Sequence, residues 1–265
     1  MIDILLTAFL LSVVLLGIHS WFGLHIIERG IIFTDLAIGQ MAAFGAAVAI
    51  LFLDGRHLYV VSFAFSLLGA LLIALSTRRT SSHEGFIGLL YAFGMSAAVI
   101  VLSRAPHGAE ELQHLTAADI LFVSLRDVVR TAVLYGVLGL VLWLGMPRLK
   151  GLWRELLFFG VFSLTVTNSV DLAGVLVVFA ILVGPAFIMS SFALSFRTRL
   201  LWAWAIGIVL NVVAITASYF WDLPTGYTVV MLYAFAGVVF ALVRGRKAAR
   251  LSGGRPAQEG EPSPT

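Results

Sequence analysis

The chain has 265 residues, of which 60% are hydrophobic and 12% are charged, and its formal net charge is +3. This composition lies far outside the range of soluble globular domains, so we expect a membrane protein that contacts the lipid bilayer. We do not expect it to bind nucleic acid. The chain has no cysteine. Disulfide bonds, thiolate metal sites and cysteine nucleophiles are therefore excluded, and any transition-metal ligand has to be a histidine, a carboxylate, an amide or water.

Apolar runs between charged breaks predict nine membrane spans, each approaching the roughly 20 residues that cross a bilayer. The runs cover residues 4–27, 31–53, 58–76, 86–103, 126–146, 155–170, 172–195, 200–220 and 226–243. We therefore predict an all-α, polytopic helical membrane protein with eight or nine transmembrane helices. The first run lacks a basic n-region and a small-residue cleavage site, so we expect a span there and not a cleaved signal peptide.

The distribution of basic residues predicts the orientation of these spans. With nine spans, one side of the membrane holds thirteen of the 17 Lys and Arg residues, and the other side holds four. Because positive charge concentrates on the cytosolic side, we expect the N-terminus outside and the C-terminus in the cytosol. A single transmembrane domain then covers residues 1–245. The tail at 246–265, rich in Pro, Gly and Ser, is predicted to be disordered.

The second span carries a carboxylate, Asp35, which lies six residues past Arg29 and therefore about 9 Å along a helix from the cytosolic end. An ionised carboxylate at that depth needs water, a cation or a hydrogen-bond donor. Two interpretations stay open: a structural aspartate that bonds to neighbouring helices or reaches the inner interface, and a carboxylate on an ion path. The first span contributes two histidines, His19 and His25. His25 is expected at the depth of Asp35 and is the better candidate ligand.

The longest connection on the outer side, residues 104–127, is polar with a weak apolar insert. It is predicted to hold a short interfacial or re-entrant helix. Some of its side chains could collect cations, because the pairs 107/111 and 110/114 have helical i,i+4 spacing. These side chains are His107, Glu110, Glu111 and His114. The alternative is an ordinary solvated polar loop.

Gly184–Pro185 lies inside a later apolar run and predicts an interrupted helix, which membranes tolerate only against protein or an aqueous cavity. Asp171 and Asp222 fall at outer helix ends, where capping and turn roles are expected. The sequence contains no HExxH, Walker A or GxSxG motif and no pair of intramembrane aspartates, so we do not expect an enzyme. The remaining candidates are a passive channel, an ion-coupled carrier and the membrane half of an ATP-driven pump.

Four segments occur in an order that is typical of one permease family. They are "RGIIFTDLAIGQMAAFGA", "TAADILFVSLRDVV", "SVDLAGVLVVFAILVGPAF" and "SYFWDLPTGYTVVMLYAFAGVVFAL". On these segments the chain resembles the ABC-3 family, the permeases of zinc, manganese and iron ABC importers, as a divergent branch. The resemblance runs from about Gly17 to Val243, which is nearly the whole membrane part.

The resemblance implies an assembly in the bacterial plasma (inner) membrane. Members of this family work as a dimer of permeases with cytosolic ATPase subunits, which bind the ATP, and with an extracytoplasmic metal-binding protein. The permease itself then has no ATPase site and no permanently bound cofactor. Its cargo is a divalent metal ion, which would pass between the two protomers. The alternative is a degenerate relative that acts as a membrane scaffold or binds a partner without coupled transport.

The resemblance also implies a metal site on the second span, but the chain departs from the family pattern there. Family members with an assigned site carry Asp-x-x-x-His. Here Gly39 is the fourth residue after Asp35, where the motif has its histidine, and Gln40 comes next. Asp35 and Gln40 point about 140° apart in a regular helix. A π-bulge between them would bring both to the pore, so the predicted metal site is Asp35, Gln40 and His25 with a bulge. The missing imidazole should weaken zinc binding relative to harder ions.

A second departure concerns coupling to the ATPase. The family has an acidic, alanine- and glycine-containing cytosolic segment between the fifth and sixth spans, and about 15 of its residues are missing here. Only residues 147–154 remain for docking. If coupling persists, we expect it to use short basic loops. The docking residues would be Arg78, Arg79, Arg148, Lys150, Arg154, Arg197 and Arg199.

Overall fold

The structure, a computed structural model, describes residues 2–76, 83–118 and 120–252 of the chain. This part forms α-helices joined by short turns, with one additional 3-10 turn at Ile120–Phe122. The helices are α1 (Ile2–Arg29), α2 (Thr34–Leu53), α3 (Leu58–Ser76), α4 (His83–Leu102), α5 (Gly108–Thr116), α6 (Leu125–Gly145), α7 (Gly151–Ala173), α8 (Val175–Ser190), α9 (Phe196–Trp221) and α10 (Thr225–Ser252).

Each of the nine predicted spans corresponds to one of these helices, and α5 is the extra short helix. Within the described residues, eight helices are long and apolar enough to cross a membrane. The ninth, α8, is equally apolar but has only 16 residues, or about 24 Å of helix. The predicted all-α, polytopic fold is confirmed. The orientation stays a prediction, and "inner" and "outer" below follow it.

Helix α2 lies at the centre of the bundle, in contact with α3, α4, α7 and α8. Its glycines and those of its neighbours let the backbones approach closely. A Cβ atom added at Gly45 would lie 2.8 Å from the Cα of Ser62 on α3, and one at Gly94 on α4 would lie 3.0 Å from the backbone of Gln40. Helix association in lipid depends on this kind of close packing, because lipid tails supply no hydrophobic drive.

The outer connection contains the predicted short helix, α5, and it turns back into the protein. Ala117 and Ala118, directly after α5, are buried. The Ala118 amide donates to the carbonyl oxygen of Ala173 at the end of α7 (3.0 Å). A Cβ atom added at Gly174, between α7 and α8, would lie 2.7 Å from the backbone of Ala117. The segment therefore packs over the outer end of the α7–α8 pair.

The interruption predicted at Gly184–Pro185 is wrong, because α8 continues through both residues. The break lies instead at Gly174, whose φ of 81° separates α7 from α8. Gly184 serves close packing: a Cβ atom there would lie 2.7 Å from the ring of Tyr233 on α10. Of the tail predicted at 246–265, α10 includes residues up to Ser252, and 253–265 lie outside the described residues.

Candidate functional site

Asp35 lies in the first turn of α2 with 1% of its surface exposed. Neither of its carboxylate oxygens has a hydrogen-bond partner among the described residues. The neighbouring hydroxyl of Thr34 is also buried and unpartnered. The structural interpretation in which Asp35 bonds to a neighbouring helix therefore has no contact to support it within residues 2–76, 83–118 and 120–252.

The local fold explains how a carboxylate can occupy this position. The chain reverses at Gly30, whose φ is 68°, and α2 begins at Thr34 after a residue whose side chain gives no cap. The free N–H groups and the dipole of the first turn favour a negative charge. They offset only part of the cost of a buried carboxylate, since such a charge normally requires a paired cation or a full set of donors.

Gln40 does not join Asp35 in the way that the sequence predicts. Helix α2 is a regular α-helix from Thr34 to Leu53, so the predicted π-bulge is wrong, and the two side chains point about 140° apart. Gln40 is nevertheless buried, with 8% of its surface exposed, and it packs against Gly94. Because protein surrounds α2 on several sides, a residue on another face reaches the interior without a bulge.

His25 lies in an aromatic cluster between α1, α7 and α9. Its Nδ1 donates to the carbonyl oxygen of Trp21 (2.9 Å), and its ring centroid is 4.7 Å from that of Phe196 and 6.3 Å from that of Phe158. None of these contacts involves α2. Across the described residues, no three His, Asp or Glu side chains are close enough to hold a metal ion. Asp35 therefore lacks the predicted co-ligands, Gln40 and His25.

The structure also contains a buried polar network that joins α1, α6 and α7. His19 donates from Nδ1 to the Leu15 carbonyl oxygen (2.7 Å), and its Nε2 is 3.2 Å from the hydroxyl of Ser169. Ser169 is hydrogen-bonded to the hydroxyl of Tyr135, to which Asn168 donates (3.3 Å). A sequence signal for this network exists in the polar run "SLTVTNS" within a membrane span.

The outer cation-collecting residues are only partly brought together. Glu110 and His114 line a pocket of about 380 Å³ between α5 and the α9–α10 turn, and Asp222 and Tyr227 line it too. His107 lies 3.5 Å from Glu110. Asp222 ends α9 in the left-handed conformation (φ 51°), as expected for a turn residue. Its place in the same pocket as Glu110 was not predicted.

On the inner side, the connection between α6 and α7 comprises residues 146–150 only. Arg148 donates to the carbonyl oxygen of Leu144 at the end of α6 (2.5 Å), and Arg199 forms an ion pair with Glu28. Other predicted docking residues are exposed: Lys150, Arg154 and Arg197. Arg78 and Arg79 lie outside the described residues.

Comparison with known proteins identifies the family. The family model described as ABC 3 transport family matches residues 1–152 and 145–244. The two matches overlap at residues 145–152. Among curated proteins, a "probable metal transport system membrane protein" of Thermotoga maritima is 27% identical over 72% of this chain and 70% of that protein. A "probable iron transport system membrane protein" of Haemophilus influenzae is 24% identical over 87% and 86%.

Two solved structures share the fold. One is PsaBC from Streptococcus pneumoniae in complex with Fab, with a TM-score of 0.73 and 19% identity over 89% of this chain and 90% of that chain. The other is described as an inward-facing conformation of a metal-chelate type ABC transporter, with a TM-score of 0.63 and 17% identity over 91% and 85%. At these identities the likeness concerns the fold alone.

Proposed function

The chain belongs to the ABC 3 transport family, and from that premise we propose that it is the permease subunit of an ATP-driven importer of divalent metal ions. The cargo would be zinc, manganese or iron. The chain contributes no ATPase site, since its sequence lacks a Walker A motif, and ATP is bound by a partner subunit. The chain would lie in the bacterial inner membrane, which its helices cross several times.

The observation that carries this proposal is the unpartnered carboxylate of Asp35. A buried acid without donors is unfavourable for folding, so it persists where a ligand or water supplies the missing contact. An oxygen ligand of this kind suits divalent metal ions in general. A pore ion also has to be held weakly enough to leave, which one carboxylate assisted by water would achieve. Gln40 and His25 do not contribute in this conformation.

The partners implied by this function would meet the chain at its two ends. On the outer side, the pocket of Glu110, His114 and Asp222 has a net negative character that would attract hydrated cations delivered by an extracytoplasmic metal-binding protein. On the inner side, Lys150, Arg154 and Arg197 are exposed and offer basic contacts for a cytosolic ATPase subunit. A second copy of the permease completes the assembly.

One observation favours the scaffold alternative. The α6–α7 connection comprises only residues 146–150, which is little more than one α-helical turn of 3.6 residues and leaves no room for a longer helix that an ATPase could hold. Co-purification separates the two functions. An importer is expected to retain an ATPase subunit whose ATP hydrolysis changes when the permease is present, and a scaffold would retain no ATPase.

Metal uptake by Asp35 variants tests the importer directly. We expect Asp35→Ala to reduce uptake to background, because the carboxylate is lost, and Asp35→Glu to keep part of it. Both variants should be present in the membrane at the level of the unsubstituted chain. Gln40→Ala is the matched control on the same helix and should transport metal at nearly the normal rate. Normal uptake by Asp35→Ala would contradict the assignment.

A further inference from the structure

A long groove runs along α1, between α6 and α9. Both of these helices pack against α1, and the groove between them has a volume of about 640 Å³. Its lining includes Gly17 and Trp21 of α1, Gly139 and Trp143 of α6, and Leu200 and Trp204 of α9. We call it the α1–α6–α9 groove. Its volume lies within the range of roughly 300–1,000 Å³ that ligand sites have in proteins.

The groove offers an almost entirely apolar surface. Within the described part of the chain, no charged side chain lines it. The hydroxyl of Tyr135 is hydrogen-bonded to Ser169, and Nε1 of Trp204 donates to the carbonyl oxygen of Gly17 (3.1 Å). Because the protein already satisfies these polar atoms, a hydrocarbon ligand fits the lining better than a polar solute does.

Two glycines keep the groove wide. A Cβ atom added at Gly17 or at Gly139 would meet no atom within 4 Å, whereas one at Gly45 in the centre of the bundle would lie 2.8 Å from the Cα of Ser62. Small residues in a membrane helix usually let another helix approach closely. Here the described helices leave the space beside both glycines open, so a molecule from the surroundings has to cover it.

The groove extends along the inner part of the membrane in the predicted orientation. On α6 its lining runs from Ala132 to Pro147, which is about 22 Å at 1.5 Å per residue. The hydrocarbon core of a bilayer is about 30 Å thick, and one leaflet accounts for half of it. The groove is therefore long enough for an acyl chain of the inner leaflet. Trp143, near its inner end, has 73% of its surface exposed, as is typical of tryptophan at the membrane interface.

Two arginines lie at the inner mouth of the groove, one after α6 and one on α9. Arg148 directly follows Pro147 and donates to the carbonyl oxygen of Leu144 (2.5 Å). Arg197 precedes Leu200 by three residues, so it lies on the same side of α9, one turn closer to the inner surface. Both arginines are exposed. Basic residues between membrane helices on the cytosolic side are typical of sites for anionic lipid headgroups.

We propose that the α1–α6–α9 groove binds one anionic phospholipid of the inner leaflet. One acyl chain lies along α1 between α6 and α9, and Arg148 and Arg197 hold the phosphate. This inference goes beyond metal transport, because it depends on the membrane-embedded fold and not on the cargo. A second copy of the chain fits the groove less well. A symmetric dimer through this face would bring Arg148 and Arg197 of both copies to one inner rim, where like charges repel.

Lipid binding is measured on the purified, delipidated full chain in detergent. Phosphatidylglycerol is the anionic probe and phosphatidylcholine the zwitterionic one, and native mass spectrometry counts the lipids bound per chain at each concentration. Gly139→Leu fills the groove at a position where the structure has room for a side chain. Gly88→Leu on α4 is the matched control, because a Cβ atom added there also meets no atom within 4 Å and Gly88 does not line the groove.

We expect the unsubstituted chain and Gly88→Leu to bind one phosphatidylglycerol in preference to phosphatidylcholine. Gly139→Leu should bind it roughly tenfold more weakly, because the leucine displaces methylene groups of the acyl chain.

The headgroup contact is tested with Arg148→Gln, since Arg197 is also among the proposed ATPase contacts. We expect this substitution to lower the affinity for phosphatidylglycerol about fivefold and to leave that for phosphatidylcholine unchanged. Arg244→Gln is the control and should keep the normal affinity. Arg244 lies at the inner end of α10, where it donates to the carbonyl oxygen of Ser191.

Equal affinities of Gly139→Leu and Gly88→Leu for phosphatidylglycerol would overturn the groove as the lipid site. Equal affinities of Arg148→Gln and Arg244→Gln would overturn the headgroup contact. If Gly139→Leu converts a dimer to a monomer and binds lipid normally, the groove belongs to a second copy instead. Should Gly139→Leu not reach the membrane, Gly17→Leu fills the same groove from α1. Metal uptake is not measured here, so the result is independent of the proposed transport function.

Discussion

Two buried polar sites in this protein differ in how their hydrogen bonds are satisfied. In the network on α1, α6 and α7, Ser169 is bonded to both His19 and Tyr135. At the inner end of α2, Asp35 is equally buried, yet neither oxygen has a partner among the described residues. The side chains at the two sites are similarly buried, so the sites differ in whether their polar atoms have hydrogen-bond partners.

This difference indicates different roles for the two sites. Polar groups that bond across helices hold a membrane bundle together, so a satisfied network needs no ligand to explain it. An unpartnered carboxylate weakens the bundle and is explained by something that binds there. The opposite signs of these two contributions can be measured as changes in the free energy of unfolding.

Asp35→Ala should give the largest change. We expect the folded state to gain stability, on the order of 2 kcal/mol, because an unpaired acid is removed from the membrane interior. The measurement is the thermal unfolding midpoint of the metal-free chain in detergent, compared with that of the unsubstituted chain. Loss of stability would mean that Asp35 has a structural partner, and the contrast between the two sites would disappear.

Ser169→Ala should change stability in the opposite direction and by less. Interhelical hydrogen bonds in membranes contribute about 0.6 kcal/mol each on average, and this substitution removes the bonds to His19 and Tyr135. We therefore expect a loss of about 1 kcal/mol, with metal uptake per folded chain unchanged. The same unfolding measurement, together with an uptake assay, checks both parts. A loss of uptake without a loss of stability would give the network a role in transport.

The sequence predicted most of the fold because the bilayer restricts it. Every apolar run became a helix, since a spanning segment has to satisfy its backbone groups internally. The prediction for Gly184–Pro185 was wrong because composition does not show what a glycine faces. At Gly184 it faces the ring of Tyr233, and the real break occurs at Gly174, where the outer segment packs against the backbone.

The candidate site was predicted less completely. Asp35 was identified because a lone acid in an apolar run is conspicuous in a sequence. Gln40 was linked to it through a bulge, which the regular α2 contradicts, since burial on a central helix does not require one common face. His25 was selected by depth, and depth does not determine that its ring faces Phe158 and Phe196.

A half-exposed ion pair on the inner side provides a third case between these two sites. Arg29 lies 2.8 Å from Glu155, with 28% and 31% of the two side chains exposed. The guanidinium of Arg29 also lies 4.3 Å above the ring of Phe158. Water screens such a pair, so its contribution is expected to be smaller than that of a buried network.

Arg29→Gln should therefore reduce stability by only about 0.5 kcal/mol. Arg197→Gln, which alters an exposed arginine, is the control and should cause no measurable change. Measuring Arg29→Gln and Glu155→Gln separately and together isolates the pairwise energy, which we expect to stay below about 1 kcal/mol and to fall at high salt. A larger coupling would show that charges at this end of the bundle are as tightly held as the Ser169 network. Pairing would then stabilise a carboxylate at this end of the bundle more than we assume. The free-energy cost assigned to the unpaired Asp35 would have to be raised accordingly.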